Sequence, residues 1–199
     1  GERRDAGLTF AGEELIDAAN ELDLILDLSH AGHRARAEGA ARARHPVCTH
    51  SNAYAVSAND RNTHDETAQL IREKEGIMGL CGLPRSVKPV DPTLNDMLDH
   101  AEHWIRIMDI DHVGIGLDFT EAYQESGSLL PASLRWRTLR PDIFGTPDEF
   151  LTQRYSKGLS TILELANLTQ GMFDRGYTPE QTAAVLGGNW LRHFTSVYG

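Results

Sequence analysis

The stretch LILDLSH at residues 24–30 decides the reading of this chain, and PVCTHSNA at 46–53 repeats its form. Each is a short apolar run that halts at a histidine and turns polar or small. Runs of this length fall short of a helix and fit strands buried on both faces. Working outward, residues 10–22 place Leu15, Ile16, Ala18, Ala19 and Leu22 at helical spacing behind Thr9, a natural N-cap. Residues 32–44 are rich in alanine and arginine, both strong helix formers, and Pro46 stops that helix before a strand at 47–49.

The alternation continues. A polar loop at 51–63 leads to a helix over 65–74, closed by Gly76, and a third buried strand at 77–83. Residues 93–108 set Met97, Leu98, Ala101, Trp104, Ile105 and Met108 on one face, the clearest amphipathic helix in the chain. A fourth strand follows at 113–117. Residues 119–147 show neither period and read as a long functional loop. Beyond it the pattern predicts helices at about 148–168, 170–175 and 179–186, with Thr178 as N-cap and Pro179 at the first helical position. GGNWLRHFTSVYG makes a last short helix carrying Trp190, Leu191 and Phe194.

Four strands separated by helices imply right-handed crossovers and a parallel sheet: an α/β fold, read as one domain over residues 1–199. In such sheets, and above all in (β/α)8 barrels, chemistry collects at the C-terminal ends of the strands. Both histidines of the opening stretches fall there.

The composition narrows the function. A formal net charge of -10 argues against a nucleic-acid partner, and Arg34, Arg36, Arg42 and Arg44 are expected on one solvated helix face. Cys48 and Cys81 lie inside apolar runs and read as free buried thiols, which fits a cytoplasmic location. No apolar run is long enough to span a membrane.

Four residues line up by the strand-end rule: His30, His50, Asp118 and, in the loop after His50, Arg61. Two imidazoles on adjacent parallel strands, about 4.8 Å apart, can converge on one zinc ion; alternatively, each caps its strand and bonds a loop carbonyl. In HVGIGLDF, Gly114 and Gly116 alternate with apolar residues ahead of Asp118, and glycines inside a strand mark close approach of another group. Asp118 there can bind a metal or shuttle a proton, or serve as a turn residue. Arg61 can hold a substrate carboxylate through a bidentate pair, or pair with Asp60, Asp65 or Glu66. His33, His45, His64, His100, His103, His112 and His193 have helical or loop contexts and read as structural or solvated.

LTFAGEELIDAANELDLILDLSHAG, PVCTHSNAYAVSANDRN, DHVGIGLDF and YTPEQTAAVLGGNWLRHF, in that order, resemble the membrane (renal) dipeptidase family of zinc peptidases in its bacterial form. The resemblance implies a TIM-barrel-like (β/α)8 metallo-hydrolase with two bridged zinc ions, in which metal-bound hydroxide attacks the amide carbonyl of a dipeptide. It implies that His30 and His50 bind one zinc, that Arg61 binds the substrate carboxylate, and that Asp118 reaches the other metal, the substrate and the reacting centre as the catalytic group. The family's His-x-Asp pair, bridging glutamate and a further substrate-binding histidine precede the matched region. The resemblance therefore covers only the last four βα units plus the C-terminal helices, and implies pairing with an N-terminal half or with another copy. Two departures fall at the active face: Cys81, Gly82 and Leu83 stand where the family often reads Asn-Phe-Tyr, and Asp118, Phe119, Thr120 and Glu121 where it often reads Asp-Phe-Asp-Gly. The rival expectations are a catalytically incomplete barrel serving as a binding or assembly module, and a lactonase or deacylase on a similar metallo-barrel.

Overall fold

A computed structural model describes residues 5–119, 130–152 and 155–199. Its elements are α1 (Phe10–Glu21), β1 (Ile25–Asp27), α2 (His33–Arg42), β2 (His45–Val47), α3 (Asp65–Glu73), β3 (Met78–Leu80), α4 (Pro84–Val87), α5 (Leu94–Met108), β4 (Val113–Ile115), α6 (Leu130–Leu139), α7 (Pro141–Phe144), α8 (Pro147–Thr152), α9 (Leu165–Asp174), α10 (Pro179–Ala183) and α11 (Asn189–Tyr198). Two of the caps, Thr9 and Thr178, are those the sequence announces, and Thr93 adds a third. Thr9 Oγ1 accepts from the Gly12 N–H, and Thr93 with Asp96 and Thr178 with Gln181 each form a reciprocal capping box.

The strands are parallel. β1 pairs with β2 in the register Ile25 to His45, and β3 with β4 in the register Met78 to Val113. A bridge from Cys48 to Met78 joins the two pairs, with the Cys48 N–H donating to Ile77 O at 3.0 Å and the Gly79 N–H to Cys48 O at 2.8 Å. The order is thus β1-β2-β3-β4, and each strand's C-terminal end opens on the same side. Cys48, Met78, Leu80 and Val113 pack against Ala68 and Ile71 of α3, against Met97, Leu98, Ala101, Trp104 and Met108 of α5, and against Leu168 and Met172 of α9. At about 25 cal/mol per Å² of apolar surface, this burial is the main force holding the helices onto the sheet.

The C-terminal motif has a structural role. Asn189 Nδ2 donates to Ile110 O and Val113 O, both at 2.7 Å, and Trp190 Nε1 donates to Ile115 O at 3.1 Å. The Trp190 ring lies where a Cβ on Gly114 would stand, so that glycine admits an indole. Phe10, Leu15, Leu22 and Leu24 in and just after α1 and Leu191, Phe194 and Tyr198 of α11 are exposed, the Tyr198 hydroxyl accepts from the Ile25 N–H at 3.0 Å, and β1 pairs as a strand only with β2 among the described residues.

Four expectations are corrected. Residues 130–139 and 141–144 are helical rather than loop, so the long irregular segment shrinks; residues 120–129, with Thr120 and Glu121, lie outside the described residues. A helix over 148–168 does not form: α8 ends at Thr152, and Lys157 pairs with Thr93 in an irregular stretch where Gly158 takes φ 90°, a left-handed conformation that breaks a helix. The helix expected at 170–175 is the end of α9. Finally, the arginine cluster is not one solvated face. Arg34, Arg42 and Arg44 pair on the surface with Glu38, with Asp17 and Glu13, and with Asp23. Arg36 is 1% exposed, because helical spacing groups it with buried Gly39 and Ala40.

Candidate active site

The C-terminal ends of β1 and β2 deliver His30 and His50 to one point. Their Nε2 atoms lie 3.0 Å apart and their rings meet edge to face with centroids at 5.0 Å. What brings them there is a polar knot one residue deeper. Asp27 Oδ1 accepts from the Ser29 N–H and the Thr49 N–H, both at 3.0 Å, and Asp27 Oδ2 accepts from the Thr49 hydroxyl at 2.6 Å. Ser29 Oγ in turn accepts from the His50 N–H at 3.1 Å. Desolvation raises the Asp27 carboxyl, and these bonds from Ser29 and Thr49 more than reverse it, so it is held below the ordinary carboxylate range.

This knot sets the His50 tautomer. The Thr49 hydroxyl gives its proton to Asp27, so its oxygen accepts from His50 Nδ1–H at 2.7 Å, leaving His50 Nε2 as the acceptor that faces His30 Nε2 at 3.0 Å. Glycines make room for the turn: a Cβ at Gly116 would lie 1.6 Å, and one at Gly79 2.0 Å, from Thr49 O. The close approach signalled by HVGIGLDF is thus real, and its partners are the Thr49 carbonyl and the Trp190 indole.

Arg61 reaches the same point from the loop after β2, which Asn59 secures by accepting from the Arg61 N–H at 2.9 Å and donating to Ile143 O at 3.2 Å. Its Nη1 donates to His30 Nδ1 at 2.6 Å, and Nη2 stands 3.9 Å from Asp118 Oδ2. The side chain is 4% exposed, and its buried Nε has no hydrogen-bond partner among the described residues. None of Asp60, Asp65 or Glu66 pairs with it; Asp60 pairs with Arg140, and Asp65 with His103. Asp118 also lies 3.9 Å from His50 Nε2, at φ 57°, in the left-handed region that aspartate tolerates better than most residues.

All four residues singled out by sequence therefore meet. Partial desolvation, followed by the Arg61 cation, lowers the His30 pKa; desolvation lowers that of His50 despite the opposing Asp118 charge. Both rings are neutral at pH 7, the state that binds a cation. His50 Nε2 carries the lone pair for that role and shares it with His30 Nε2–H at 3.0 Å. His30 fits once Arg61 releases Nδ1, because a ring that accepts there carries its proton on Nε2. No group of three or more His, Cys, Asp or Glu side chains among the described residues is arranged to hold an ion, so His30, His50 and Asp118 do not by themselves complete a metal site. The remaining histidines are structural where their bonds are seen: His100 and His112 bond main chain, and His103 bonds Asp65. Sequence reading missed Asp27 and Thr49. Their signal was a polar residue inside each apolar run, three before His30 and one before His50.

Comparison with known proteins gives this geometry its context. The family described as membrane dipeptidase (Peptidase family M19) matches residues 1–132. Dipeptidase aclJ of Aspergillus oryzae is 29% identical over 195 residues, 96% of this chain and 39% of its own. Among solved structures, the metallopeptidase dipeptidase AC is 27% identical with a TM-score of 0.73, covering 97% of this chain and 50% of that one. A metallopeptidase of Rhodobacter sphaeroides, solved with a phosphinate mimic of the dipeptide L-Ala-D-Ala, is 25% identical with a TM-score of 0.75, covering 96% and 48%. The chain thus spans about half the length of the solved relatives, or less for the fungal enzyme. With its strand-end histidines, its ordered motifs and these matches in agreement, the chain belongs to the membrane dipeptidase family, peptidase family M19.

Proposed function

We propose that the intact protein is a zinc-dependent dipeptidase, and that these residues form the last four βα units of its (β/α)8 barrel. The observation that carries the reading is the 3.0 Å convergence of His30 Nε2 and His50 Nε2 beside a buried guanidinium with a spare donor. His30 and His50 would hold one of two metal ions, with Asp118 contributing a carboxylate oxygen and the remaining ligands lying elsewhere in the intact protein. A bound zinc supplies Lewis-acid polarisation of the scissile carbonyl and acidifies water. The protein's own residues do the rest. Arg61 turns its unpaired Nε and an Nη toward the dipeptide carboxylate, a bidentate pairing that compensates a donor otherwise buried alone. As Arg61 swings to substrate, His30 Nδ1 is released. Asp118 Oδ2, 3.9 Å from both His50 and Arg61, takes the proton from the attacking water and passes it to the leaving amine.

The open side of β1, flanked by exposed Phe10, Leu15, Leu22 and Leu24, is the edge that preceding strands of the barrel would cover. Intact protein with zinc is expected to hydrolyse dipeptides, and His30→Ala to lose metal and at least about a thousandfold in kcat/KM. An intact protein that binds zinc yet cleaves no dipeptide, or a His30→Ala variant with unchanged metal content, sinks the reading. The rival reading, a non-catalytic binding module, expects an intact protein that binds no metal.

A further inference from the structure

Arg36 of α2 stands beneath the site, and the bonds of its guanidinium go to oxygens of the main chain and one hydroxyl. Nε donates to Leu28 O at 3.2 Å. Nη1 donates to Asn62 O and Thr63 Oγ1, both at 2.8 Å. Nη2 donates to Ala31 O at 2.9 Å and Ser29 O at 3.2 Å, with Arg61 O at 3.4 Å as a longer contact. A guanidinium has five N–H donors in one rigid plane, and here each has an acceptor.

The acceptors fall into two groups. Leu28, Ser29 and Ala31 straddle His30, while Arg61, Asn62 and Thr63 are the substrate-side arginine and the two residues after it. These segments belong to different βα loops, and they place the two groups that meet at the site, Arg61 Nη1 and His30 Nδ1, 2.6 Å apart. Burying a cation is costly, and it is tolerated when fixed oxygens replace its water shell. A residue needed only to fill space would not carry that cost.

We propose that Arg36 is a positioning residue that locks the His30 turn and the Arg61 loop into one unit, so that one buried guanidinium sets the alignment of the other. The lock itself stands on contacts within this chain. Its effect on catalysis rests on the dipeptidase reading, through Arg61 as carboxylate anchor. Arg36 touches no reacting atom; it acts through the main chain on either side of two groups that do.

Two variants of the intact protein test the lock from opposite ends, read by hydrogen exchange. Arg36→Lys lies next to the His30 turn and is expected to raise exchange at residues 61–63; Thr63→Val lies in the Arg61 loop and is expected to raise it at residues 28–31, each by about tenfold. If each variant loosens only its own segment, or neither loosens anything, the lock is refuted. In kinetics, Arg36→Lys is expected to raise KM for a dipeptide about tenfold with kcat nearly kept, as a displaced anchor would. A fall in kcat alone, with KM unchanged, overturns the positioning role. If the unaltered protein hydrolyses no dipeptide, it is the dipeptidase reading that falls, and the exchange result still decides the lock.

Discussion

His50, at the end of β2, and His100, in the middle of α5, are both kept neutral by desolvation, yet they are wired in opposite ways. His100 Nδ1 accepts from the Ala53 N–H at 3.1 Å, and its Nε2–H donates to Val87 O at 2.8 Å, so both nitrogens are consumed by main chain. His50 spends Nδ1 on the Thr49 hydroxyl and turns Nε2 to another side chain, His30, rather than to main chain. Suppressed basicity therefore does not separate a working imidazole from a structural one. A nitrogen directed at the strand-end cluster instead of at main chain does.

The strongest way to break this contrast is to delete each ring in turn. His50→Ala is expected to lose about a thousandfold in dipeptide kcat/KM with under about 1 kcal/mol of stability, while His100→Ala loses about 3 kcal/mol and keeps its activity per folded molecule. Denaturant titration and kinetics on the same samples check both halves. Comparable losses in both variants by both measures would erase the distinction.

A second test uses pH. Burial pulls the His100 pKa from an ordinary 6.5 to about 4. Between those values the unfolded chain takes up a proton that the folded chain refuses. The contribution is therefore complete above pH 6.5 and is lost as pH falls toward 4, up to about 3 kcal/mol. His100→Gln should flatten that part of the stability profile. If its profile still parallels that of the unaltered protein, the assigned wiring is wrong.

Smaller effects sharpen the strand-end side. Asp27→Asn weakens the acceptor that orients Thr49 and hence His50, and should reduce metal affinity of the intact protein about tenfold in a chelator competition while leaving the thermal melt nearly unchanged. The smallest expected signal comes from the thiols. Cys48 and Cys81 are buried and desolvation pushes both to about 11, so neither should react with iodoacetamide in the folded protein at pH 8. Stoichiometric alkylation before unfolding would show that the core beneath the strand ends is open.

The strand ends were legible because period and chemistry coincide there: a buried strand can be only a few residues long, and a histidine that stops one has few places to go. α1 and α5, whose apolar residues recur at helical spacing, were legible for the same reason, and α10 was legible from its Thr178-Pro179 start. α6 was not, since LPASLRWRTL has no clean apolar stripe. Nor was the break near Gly158, where residues 155–161 follow a pairing between Thr93 and Lys157 that no local pattern encodes. Arg36 shows the limit of reading charge as exposure: its wheel position pointed inward, while the oxygens that receive it come both from the turn just before its helix and from the Arg61 loop, more remote in sequence. Asp27 and Thr49 were overlooked because their role lies in orienting a neighbour.

The backbone of Asp118 dictates how its chemistry can be interrogated. A side chain without a local polar group is disfavoured at φ 57°, so an alanine or valine placed there would report conformational strain together with the loss of a carboxylate. Asparagine and glycine adopt that conformation readily. Asparagine removes the charge and keeps the shape, and glycine removes the side chain and keeps the turn, so this pair separates electrostatics from architecture at an acid that lies within 4 Å of both His50 and Arg61.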